Sequence, residues 1–432
     1  MKVLVLNSGS SSQKSCLYEI GEALPDDPPG CVWEGKIEWT AHQAEFSIKN
    51  SRGVSRKDQT SVGSRGEAIE RLLQSLWSGE TQAISGPADI DVVGHRVVHG
   101  GPQYFEPALV TAEVKSAIES VSVFAPLHNR AELEGMEMVA KLLGPVPQIA
   151  VFDTGFHRTM PLSAVTYPGP YEWFEQGIRR YGFHGINHQY CAQRAAQLLG
   201  KNLNSLKLVT CHLGNGCSLA AIREGRSVDT TMGFTPLEGL MMGTRSGSVD
   251  PGILTYLMRE KHFSGQQLDE VLNQKSGLLG VSGISSDMRQ ILAASRNGDE
   301  PAKMARAKLA LDIYVHRLRS GIGAMIAVLG GVDALVFTAG VGENSPEVRA
   351  AVCDNFAFLG LKLDHEKNAP SPLKDDTDIS ASDAAVRALV IHAEEDWMIA
   401  WQCWNLVRQQ SSGRVKPFKN VTLGSIVETL EM

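Results

Sequence analysis

Two stretches of this 432-residue chain share one organisation, in which two runs that predict strands are joined by a short polar tip containing glycine. In the first, runs over residues 2–6 and 13–18 are joined by Asn7-Ser8-Gly9-Ser10-Ser11-Ser12. In the second, apolar runs over residues 206–210 and 219–222 are joined by Cys211-His212-Leu213-Gly214-Asn215-Gly216-Cys217-Ser218. Each pattern predicts a hairpin. A glycine tip is compatible with a plain tight turn, and also with a loop whose backbone N–H groups hold anionic oxygens.

The repetition favours the second interpretation. Two similar hairpins about two hundred residues apart indicate a duplicated domain. Two phosphate-holding tips that face each other across a central cleft would form a nucleotide site. This α/β arrangement is that of the actin-like (ribonuclease H-like) ATPase superfamily, which includes the sugar kinases and the Hsp70 chaperones. The sequence contains no Gly-x-x-x-x-Gly-Lys-Ser/Thr, so a P-loop nucleotide site is not expected.

Composition narrows the class of protein further. The net charge of −7 predicts no general attraction to nucleic acid or to acidic membranes, so an anionic substrate requires a local basic pocket. Seven scattered cysteines without Cys-x-x-Cys pairs indicate reduced thiols in a cytoplasmic protein, and the N-terminus has no signal peptide pattern. The apolar stretch over residues 322–341 is interrupted by Asp333 and predicts a buried helix followed by a strand, not a membrane span.

Four ionisable residues stand where a predicted strand or loop would present them to a ligand. Arg96 follows a predicted strand over residues 89–93, and Asp153 follows one over residues 147–152, at the end where α/β folds bind ligands. His184 lies between glycines after Arg179-Arg180, and Arg245 lies in a glycine- and threonine-rich loop that we expect to be ordered. An arginine here suits an anion but also a structural salt bridge, and a lone histidine is often structural.

Three later segments are weaker candidates. Ser286 or Asp287 is a plausible cap of a helix. The strand over residues 334–338 precedes a predicted loop, Ala339-Gly340-Val341-Gly342-Glu343-Asn344-Ser345, whose two glycines could serve a nucleotide. The acids of Glu394-Glu395-Asp396 begin the last helix, where they stabilise its N-terminus or supply a carboxylate to Mg²⁺.

Taken in order, these segments resemble the acetate and propionate kinase family. The matching segments are Asn7-x-Gly9-Ser10-Ser11-Ser12-x-Lys14, Gly94-His95-Arg96-Val97-Val98-His99-Gly100-Gly101, Ala125-Pro126-Leu127-His128-Asn129, Phe152-Asp153-Thr154-x-Phe156-His157, Arg180-Tyr181-Gly182-Phe183-His184-Gly185, His212-Leu213-Gly214-Asn215-Gly216, Thr235-Pro236-Leu237-Glu238-Gly239, Arg245-Ser246-Gly247 and Phe337-Thr338-Ala339-Gly340-Val341-Gly342-Glu343-Asn344. Each motif alone is weak, but the series in family order over residues 1 to about 400 is specific.

The resemblance implies reversible transfer of a phosphoryl group from ATP to acetate, giving acetyl phosphate and ADP, with Mg²⁺ or alternatively Mn²⁺, in a homodimer. Arg96, Asp153, His184 and Arg245 would be catalytic, and Asn7 and Glu395 would hold the metal, with a slip to Glu394 left open. The nucleotide would be bound by Lys14, His212, Leu213, Gly214, Asn215, Gly216, Asp287, Met288, Arg289, Gly340, Val341, Gly342, Glu343 and Asn344. Val98, Leu127, Phe183 and Pro236 would wall the pocket for the acetate methyl.

The chemistry of a carboxylate acceptor agrees with this set. A carboxylate is already ionised at neutral pH, so no base is needed, and the difficulty is to bring two anions together. Arginines, a histidine and a metal ion would stabilise the two anions during a direct in-line transfer. Asp153 would then orient the metal or its waters.

The chain also departs from the family pattern. Ile186-Asn187-His188 stands where the family usually has Thr-Ser-His, and the tail over residues 405–432 exceeds the family's usual end. We expect one domain over residues 1–153 with 394–432 and a second over 154–393. A propionate or butyrate kinase and a non-catalytic ATP-binding regulator remain as alternatives.

Overall fold

The computed structural model describes residues 1–9, 12–39, 43–122, 128–297 and 300–411. Leu127 and the tail over residues 412–432 therefore lie outside the described residues. The chain divides into two compact units, Met1–Gly155 with Glu394–Met432, and Phe156–Ala393. The expected domains have the same arrangement along the chain, in which the first domain contains both the N-terminal and the C-terminal segment and the second domain lies between them in sequence. Their boundaries at residues 153 and 393 stay a prediction.

The first unit is built on a sheet of eight strands in the order β5-β4-β3-β2-β1-β6-β8-β7. These strands are β1 Lys2–Ser8, β2 Ser12–Glu19, β3 Trp33–Trp39, β4 Ala44–Asn50, β5 Ser55–Thr60, β6 Val92–Val97, β7 Ala108–Leu109 and β8 Gln148–Phe152. β1 is antiparallel to β2 and parallel to β6, which is parallel to β8. Val3 to Leu6 of β1 are buried, as expected for a central strand covered on both faces.

The second unit contains a sheet of six strands in the order β11-β10-β9-β12-β14-β13. The strands are β9 Lys207–Leu213, β10 Cys217–Arg223, β11 Arg226–Thr230, β12 Ala334–Thr338, β13 Thr377–Asp378 and β14 Arg387–Val390. β9 is antiparallel to β10 and parallel to β12, which is parallel to β14.

The two sheets repeat one topology. In each, a three-stranded antiparallel meander (β3-β2-β1 or β11-β10-β9) is followed by two parallel strands (β6 and β8, or β12 and β14). Both glycine tips join the first two strands of their meander. The predicted duplication of an α/β domain is therefore confirmed, and both predicted hairpins are present.

Helices supply the remaining regular structure. They are α1 Arg65–Gln74, α2 Ala112–Ser120, α3 Asn129–Leu143, α4 Leu162–Val165, α5 Tyr171–Glu175, α6 Gly185–Leu198, α7 Pro251–Glu260, α8 Gly265–Gln274, α9 Gly277–Ser282, α10 Met288–Asn297, α11 Pro301–Leu329, α12 Ala339–Asn344, α13 Pro346–Cys353, α14 His365–Asn368 and α15 Glu395–Ser411. Short 3₁₀ turns cover Pro87–Asp89, Gly155–Thr159, Leu203–Ser205 and Asp354–Leu359. Among the described helices, none has the length and apolar character needed to cross a membrane.

Two secondary-structure predictions were wrong. The strand expected over residues 89–93 is β6, which starts at Val92 because its parallel register with β1 begins there, and which extends through Arg96. The loop expected over residues 339–345 contains α12, in which the Glu343 carboxylate accepts a hydrogen bond at 2.8 Å from the Ala339 N–H, a first-turn donor that has no partner within the helix backbone.

Candidate active site

The site residues of the first unit lie at one edge of its sheet. β1, β6 and β8 run parallel, so their carboxyl ends meet there, and Asn7, Arg96 and Asp153 lie at these three ends. The helix α15 packs on the same strands and begins with Glu395 and Asp396. Residues separated by almost 400 positions are thus neighbours.

Arg96 is held by a buried carboxylate. Its Nη2 lies 2.8 Å from Oδ2 of Asp153, which is 1% exposed and whose backbone N–H donates to the Val97 carbonyl at 2.8 Å. Burial by itself lowers the pKa of Arg96, but the charges of Asp153, Glu395 and Glu132 outweigh it, and the net effect raises the pKa. Arg96 is therefore a permanent cation, and its salt bridge does not exclude a role toward an anion.

Asn7 joins the first strand to the last helix. Its Nδ2 donates to Glu395 Oε2 at 3.2 Å and to Asp396 Oδ1 at 3.0 Å. Asp396 also forms an ion pair with Lys14, whose Nζ lies 2.8 Å from Asp396 Oδ2. Lys14, expected to bind the nucleotide, is thus engaged in an ion pair within its own unit, and Asp396, one of the three acids noted at the start of the last helix, contacts both Lys14 and Asn7.

The donor set at this edge fits a hard divalent cation. Asn7 offers an amide oxygen, and Glu395 and Asp153 offer carboxylates, which are the ligands that Mg²⁺ prefers. Burial raises the pKa of Glu395, and the nearby charges of Asp153 and Asp396 add to that effect while Arg96 opposes it. A bound cation would relieve this concentration of negative charge. Glu395 bonds Asn7 directly, which favours Glu395 over Glu394 as the metal carboxylate.

Glu132 on α3 is a neighbour of Arg96 that the sequence reasoning missed. It is 2% exposed, and both carboxylate oxygens accept from the Val98 N–H, at 3.2 and 3.1 Å. Burial raises the pKa of Glu132 to about 8, while Arg96 and the Val98 N–H act in the opposite direction. Its sequence signal was an acid among the apolar positions of an amphipathic helix.

In the second unit, the glycine tip connects β9 and β10. The Gly214 N–H donates to the Gly216 carbonyl at 3.0 Å, which closes the turn. The side chain of Leu213 is completely buried, so only its backbone can face a ligand. His212, the penultimate residue of β9, lies 9% exposed just before the tip.

A cluster of histidines surrounds the base of this tip. His184 has a left-handed backbone (φ 58°) at the start of α6, and its ring stacks on that of His212 with centroids 3.9 Å apart. Ser218 Oγ lies 2.9 Å from His184 Nδ1 and 2.8 Å from His188 Nε2. Asn187 Nδ2 lies 2.8 Å from His212 Nδ1. Asn187, which stands where the family usually has serine, therefore orients His212. Ser218 orients His184.

Arg245 lies beside the same tip. A Cβ atom built on Gly216 would lie 3.4 Å from His184 Cε1 and 3.6 Å from Arg245 Nη1, so the tip, the histidine and the arginine meet. Arg245 Nη1 donates to the Pro236 carbonyl at 3.2 Å. The long loop that carries Arg245 is joined to the tip by the Gly243 N–H, which donates to the Asn215 carbonyl at 3.0 Å.

The expected adenosine residues form two groups. Asp287 accepts from the Arg289 N–H at 2.9 Å, as a cap of α10, and pairs with the Arg289 side chain at 2.6 Å. Met288 is buried. Gly340, Val341, Gly342, Glu343 and Asn344 form α12. Glu343 Oε1 accepts from the Ala339 and Ala393 N–H groups, so this side chain stabilises the backbone.

The expected methyl-pocket residues are distributed over both units. Val98 is 4% exposed in the first unit, and Phe183 is 1% exposed in the second. The Pro236 carbonyl holds Arg245. Leu127 lies outside the described residues.

The candidate site residues thus form two sets, one within each unit. Comparison with known proteins identifies the family to which the chain belongs. The sequence profile of the Acetokinase family matches residues 2–401. This chain belongs to the Acetokinase family. The acetate kinase of Cyanothece sp. (strain PCC 7425 / ATCC 29141) is 59% identical over 413 residues, which cover 95% of this chain and 100% of that relative.

Solved structures agree with membership of the Acetokinase family. The crystal structure of Porphyromonas gingivalis acetate kinase matches with a TM-score of 0.85 at 39% identity, covering 94% of this chain and 99% of that one. A propionate kinase from Francisella tularensis subsp. tularensis SCHU S4 matches with a TM-score of 0.82 at 35% identity, covering 93% and 98%. The resemblance drawn from the motif series is confirmed.

Proposed function

We propose that the chain is an acetate kinase that transfers the γ-phosphoryl group of ATP reversibly to acetate, giving acetyl phosphate and ADP. The observation that carries this proposal is the arginine in each of the two sets of site residues, which we call half-sites. Arg96 lies in the half-site of the first unit, and Arg245 lies beside His184 in that of the second. Full-length similarity to proteins named acetate kinase supports the choice of acceptor.

The acceptor explains the absence of a dedicated base from the proposed mechanism. Acetate is ionised at neutral pH, so its oxygen attacks the γ-phosphorus without losing a proton. Asp153 is occupied by Arg96 at 2.8 Å, which suits a carboxylate that orients other groups. The reaction is then a direct in-line transfer in which positioning and charge stabilisation lower the barrier.

The two arginines and the histidine are held before any substrate binds. The Asp153 carboxylate orients Arg96, the Pro236 carbonyl orients Arg245, and Ser218 orients the His184 ring. We assign all three side chains to the transferred phosphoryl group. Preorganised donors of this kind need no reorganisation as the charge shifts from the leaving oxygen to the carboxylate.

Nucleotide and metal binding complete the assignment. The tip Gly214-Asn215-Gly216 with His212 would bind the ATP phosphates, and Asp287, Arg289 and α12 would bind adenosine. Asn7 and Glu395 would hold Mg²⁺, with Mn²⁺ as a substitute, and the ion would supply charge neutralisation at the phosphates. Lys14 would act through Asp396, with which it is paired.

We also propose a cytoplasmic homodimer. In α7, none of the residues is buried, and Ile253, Tyr256 and Met258 are 48%, 48% and 50% exposed. Ile253 and Tyr256 lie one turn apart on the same side of the helix, and neighbouring exposed apolar side chains mark a surface that binds a partner, which we take to be a second copy.

Acyl phosphate trapped with hydroxylamine tests the proposal. Purified protein receives Mg-ATP and either acetate, propionate, butyrate or glycerol. We expect hydroxamate from acetate with the highest kcat/KM, and no product from glycerol. A higher kcat/KM for propionate or butyrate would identify the larger-substrate alternative, because one methylene in an apolar pocket changes specificity by about 1–3 kcal/mol. ATP binding without hydroxamate from any carboxylate would identify the non-catalytic regulator.

A further inference from the structure

Two cysteines of the first unit lie close together near the candidate metal site. The sulfur atoms of Cys16 on β2 and Cys31, just before β3, lie within 4.8 Å of each other and of a Glu34 carboxylate oxygen. The one S–H of Cys16 is shared between the Cys31 sulfur and Oδ2 of Asp396, which lies 3.6 Å from Cys16 Sγ. Cys31 is partly exposed, whereas the other six cysteines are buried, so this pair combines proximity with access from solvent.

The surroundings shift the pKa values of the two thiols in opposite directions. The hydrogen bond with Cys16 lowers the pKa of Cys31, and Lys14 acts in the same direction, although burial opposes both. The same hydrogen bond and burial raise the pKa of Cys16. An exposed, more acidic thiol next to a buried one is the arrangement in which one cysteine attacks an oxidant and the other resolves the mixed disulfide.

We propose that Cys16 and Cys31 form a reversible disulfide and that its formation weakens the candidate Mg²⁺ site through Asp396. The oxidant is a low-molecular-weight or protein disulfide. The Cys31 thiolate attacks one of its sulfurs and expels a thiol, and Cys16 then loses its proton and attacks the Cys31 sulfur, expelling the second thiol. The two cysteines lose two electrons and two protons, which the oxidant gains as it becomes two thiols.

The coupling to the metal site runs through one carboxylate. Cys16 Sγ donates to Asp396 Oδ2 at 3.6 Å, and Asp396 also holds Lys14 at 2.8 Å and Asn7 at 3.0 Å. A disulfide has no S–H to donate, so Asp396 loses this partner and its hold on Asn7 changes. Asn7 in turn bonds Glu395.

The same cluster is less suited to a metal ion. Glu34 pairs with Lys49 at 3.0 Å, and the Lys14 ammonium acts on both thiols. Two ammonium groups around three donors oppose a divalent cation, whereas they assist formation of a thiolate.

Disulfide mapping tests the proposal. The full chain is equilibrated in mixtures of reduced and oxidised glutathione, alkylated in acid and digested for peptide mass spectrometry. We expect a Cys16–Cys31 linked peptide that reductant removes. The link is absent from Cys31→Ser and retained in Cys353→Ala, a matched loss of a buried thiol in the other unit. Alkylation of both thiols, or glutathione on Cys31 without the link, overturns the proposal, as does Zn²⁺ that protects both thiols while no link forms.

The effect on the metal site rests on the proposed function and has its own readout. The oxidised protein should need about fivefold more Mg²⁺ for its half-maximal rate, the scale of one lost hydrogen bond, and reductant should reverse this. Cys31→Ser should have the same rate as wild-type protein in its reduced form, and the oxidant should not change its Mg²⁺ requirement. An unchanged Mg²⁺ requirement in protein that carries the link overturns the coupling. Protein that forms the link but is inactive even when reduced counts against the proposed function, not against the disulfide.

Discussion

At the scale of single residues, the first unit surrounds one arginine with acids. Arg96 pairs with Asp153, and the charge of Glu395 also acts on it. The acids keep the guanidinium charged despite its burial, and the salt bridge limits the directions in which it can point. An arginine placed in this way can stabilise a phosphoryl group whose charge is moving, which a flexible surface arginine would do less well.

Replacing either candidate arginine should impair turnover. We expect Arg96→Ala and Arg245→Ala each to lower kcat for acetyl phosphate formation by at least about a hundredfold, the scale of losing one preorganised charge partner. Steady-state kinetics measures this, with thermal unfolding as a check on folding. Arg56→Ala, at an exposed arginine of the first unit, is the matched control. Changes below threefold in both candidate variants would refute the role.

Glu132 should make stability fall as pH rises. Its pKa is about 8 in the folded protein against 4.5 as the ordinary value, so between these values the folded state keeps a proton that the unfolded state releases. Relative to Glu132→Gln, the wild-type free energy of unfolding should fall by at least about 1.4 kcal/mol, the equivalent of one pKa unit, between pH 5 and about pH 8. The charged neighbours Arg96, Asp153 and Arg65 are unchanged in this comparison.

Urea unfolding at several pH values measures this difference. The exposed Glu137 on the same helix provides the control, because Glu137→Gln should follow the wild-type pH dependence. Parallel curves for wild type and Glu132→Gln would show that Glu132 is ionised throughout this range.

At the scale of elements, the first turn of α15 completes the first half-site. Glu395 and Asp396 both bond Asn7 of β1, and the same helix packs on β1 and β6. A helix from the end of the chain is thus joined to the carboxyl ends of strands from its beginning. Acids in a first helical turn are common for electrostatic reasons alone, so the contact with Asn7 is what separates this turn from an ordinary N-terminus.

The two neighbouring glutamates of this turn should differ in their effect on metal dependence. Glu395→Gln should raise the Mg²⁺ concentration for half-maximal rate by at least about tenfold, since it replaces a candidate ligand carboxylate by a neutral amide of equal size. Glu394→Gln is the matched control and should change it by less than about threefold. A titration of the rate against free Mg²⁺ measures this concentration in both variants. A larger increase for Glu394→Gln than for Glu395→Gln would assign the metal to Glu394.

At the scale of the whole molecule, two sheets of the same topology each present their glycine tip and their parallel strand ends. The repetition places one set of candidate groups in each unit, with Arg96 and Asn7 in the first and His184 and Arg245 in the second. The helix α7 exposes Ile253, Tyr256 and Met258 and buries none of its residues.

If α7 forms the proposed dimer contact, a charge on its apolar face should separate the subunits. We expect the wild type at twice the mass of the chain in light scattering, and Tyr256→Glu at once that mass at micromolar concentration, because an unpaired buried carboxylate is strongly unfavourable in an interface. Lys261→Glu, just beyond the helix, tests for an unspecific effect of added negative charge. A wild-type monomer, or a dimer of Tyr256→Glu, would exclude this interface.

Much of the fold and of the site follows from local patterns. The alternation of apolar runs with glycine tips predicts both hairpins, and the strand β12 begins and ends as expected. Arg96, Asp153, His184 and Arg245 are distinguished by their position next to glycines or strand ends. These signals are local because a tight turn and a strand end require particular residues within a few positions.

Tertiary structure decided what local patterns leave open. Glu132, Asp396, Cys31 and Asn187 look like ordinary helix, loop or surface residues along the chain, and they acquire their roles from partners far away in sequence. Glu132 faces Val98, Asp396 faces Asn7, and Cys31 faces Cys16. The sequence by itself determined a duplicated α/β fold with a phosphoryl-transfer pattern. Burial and pairing across the sheet determined which acids are buried, which pKa values shift and which carboxylate faces Asn7, because these depend on neighbours that only folding brings together.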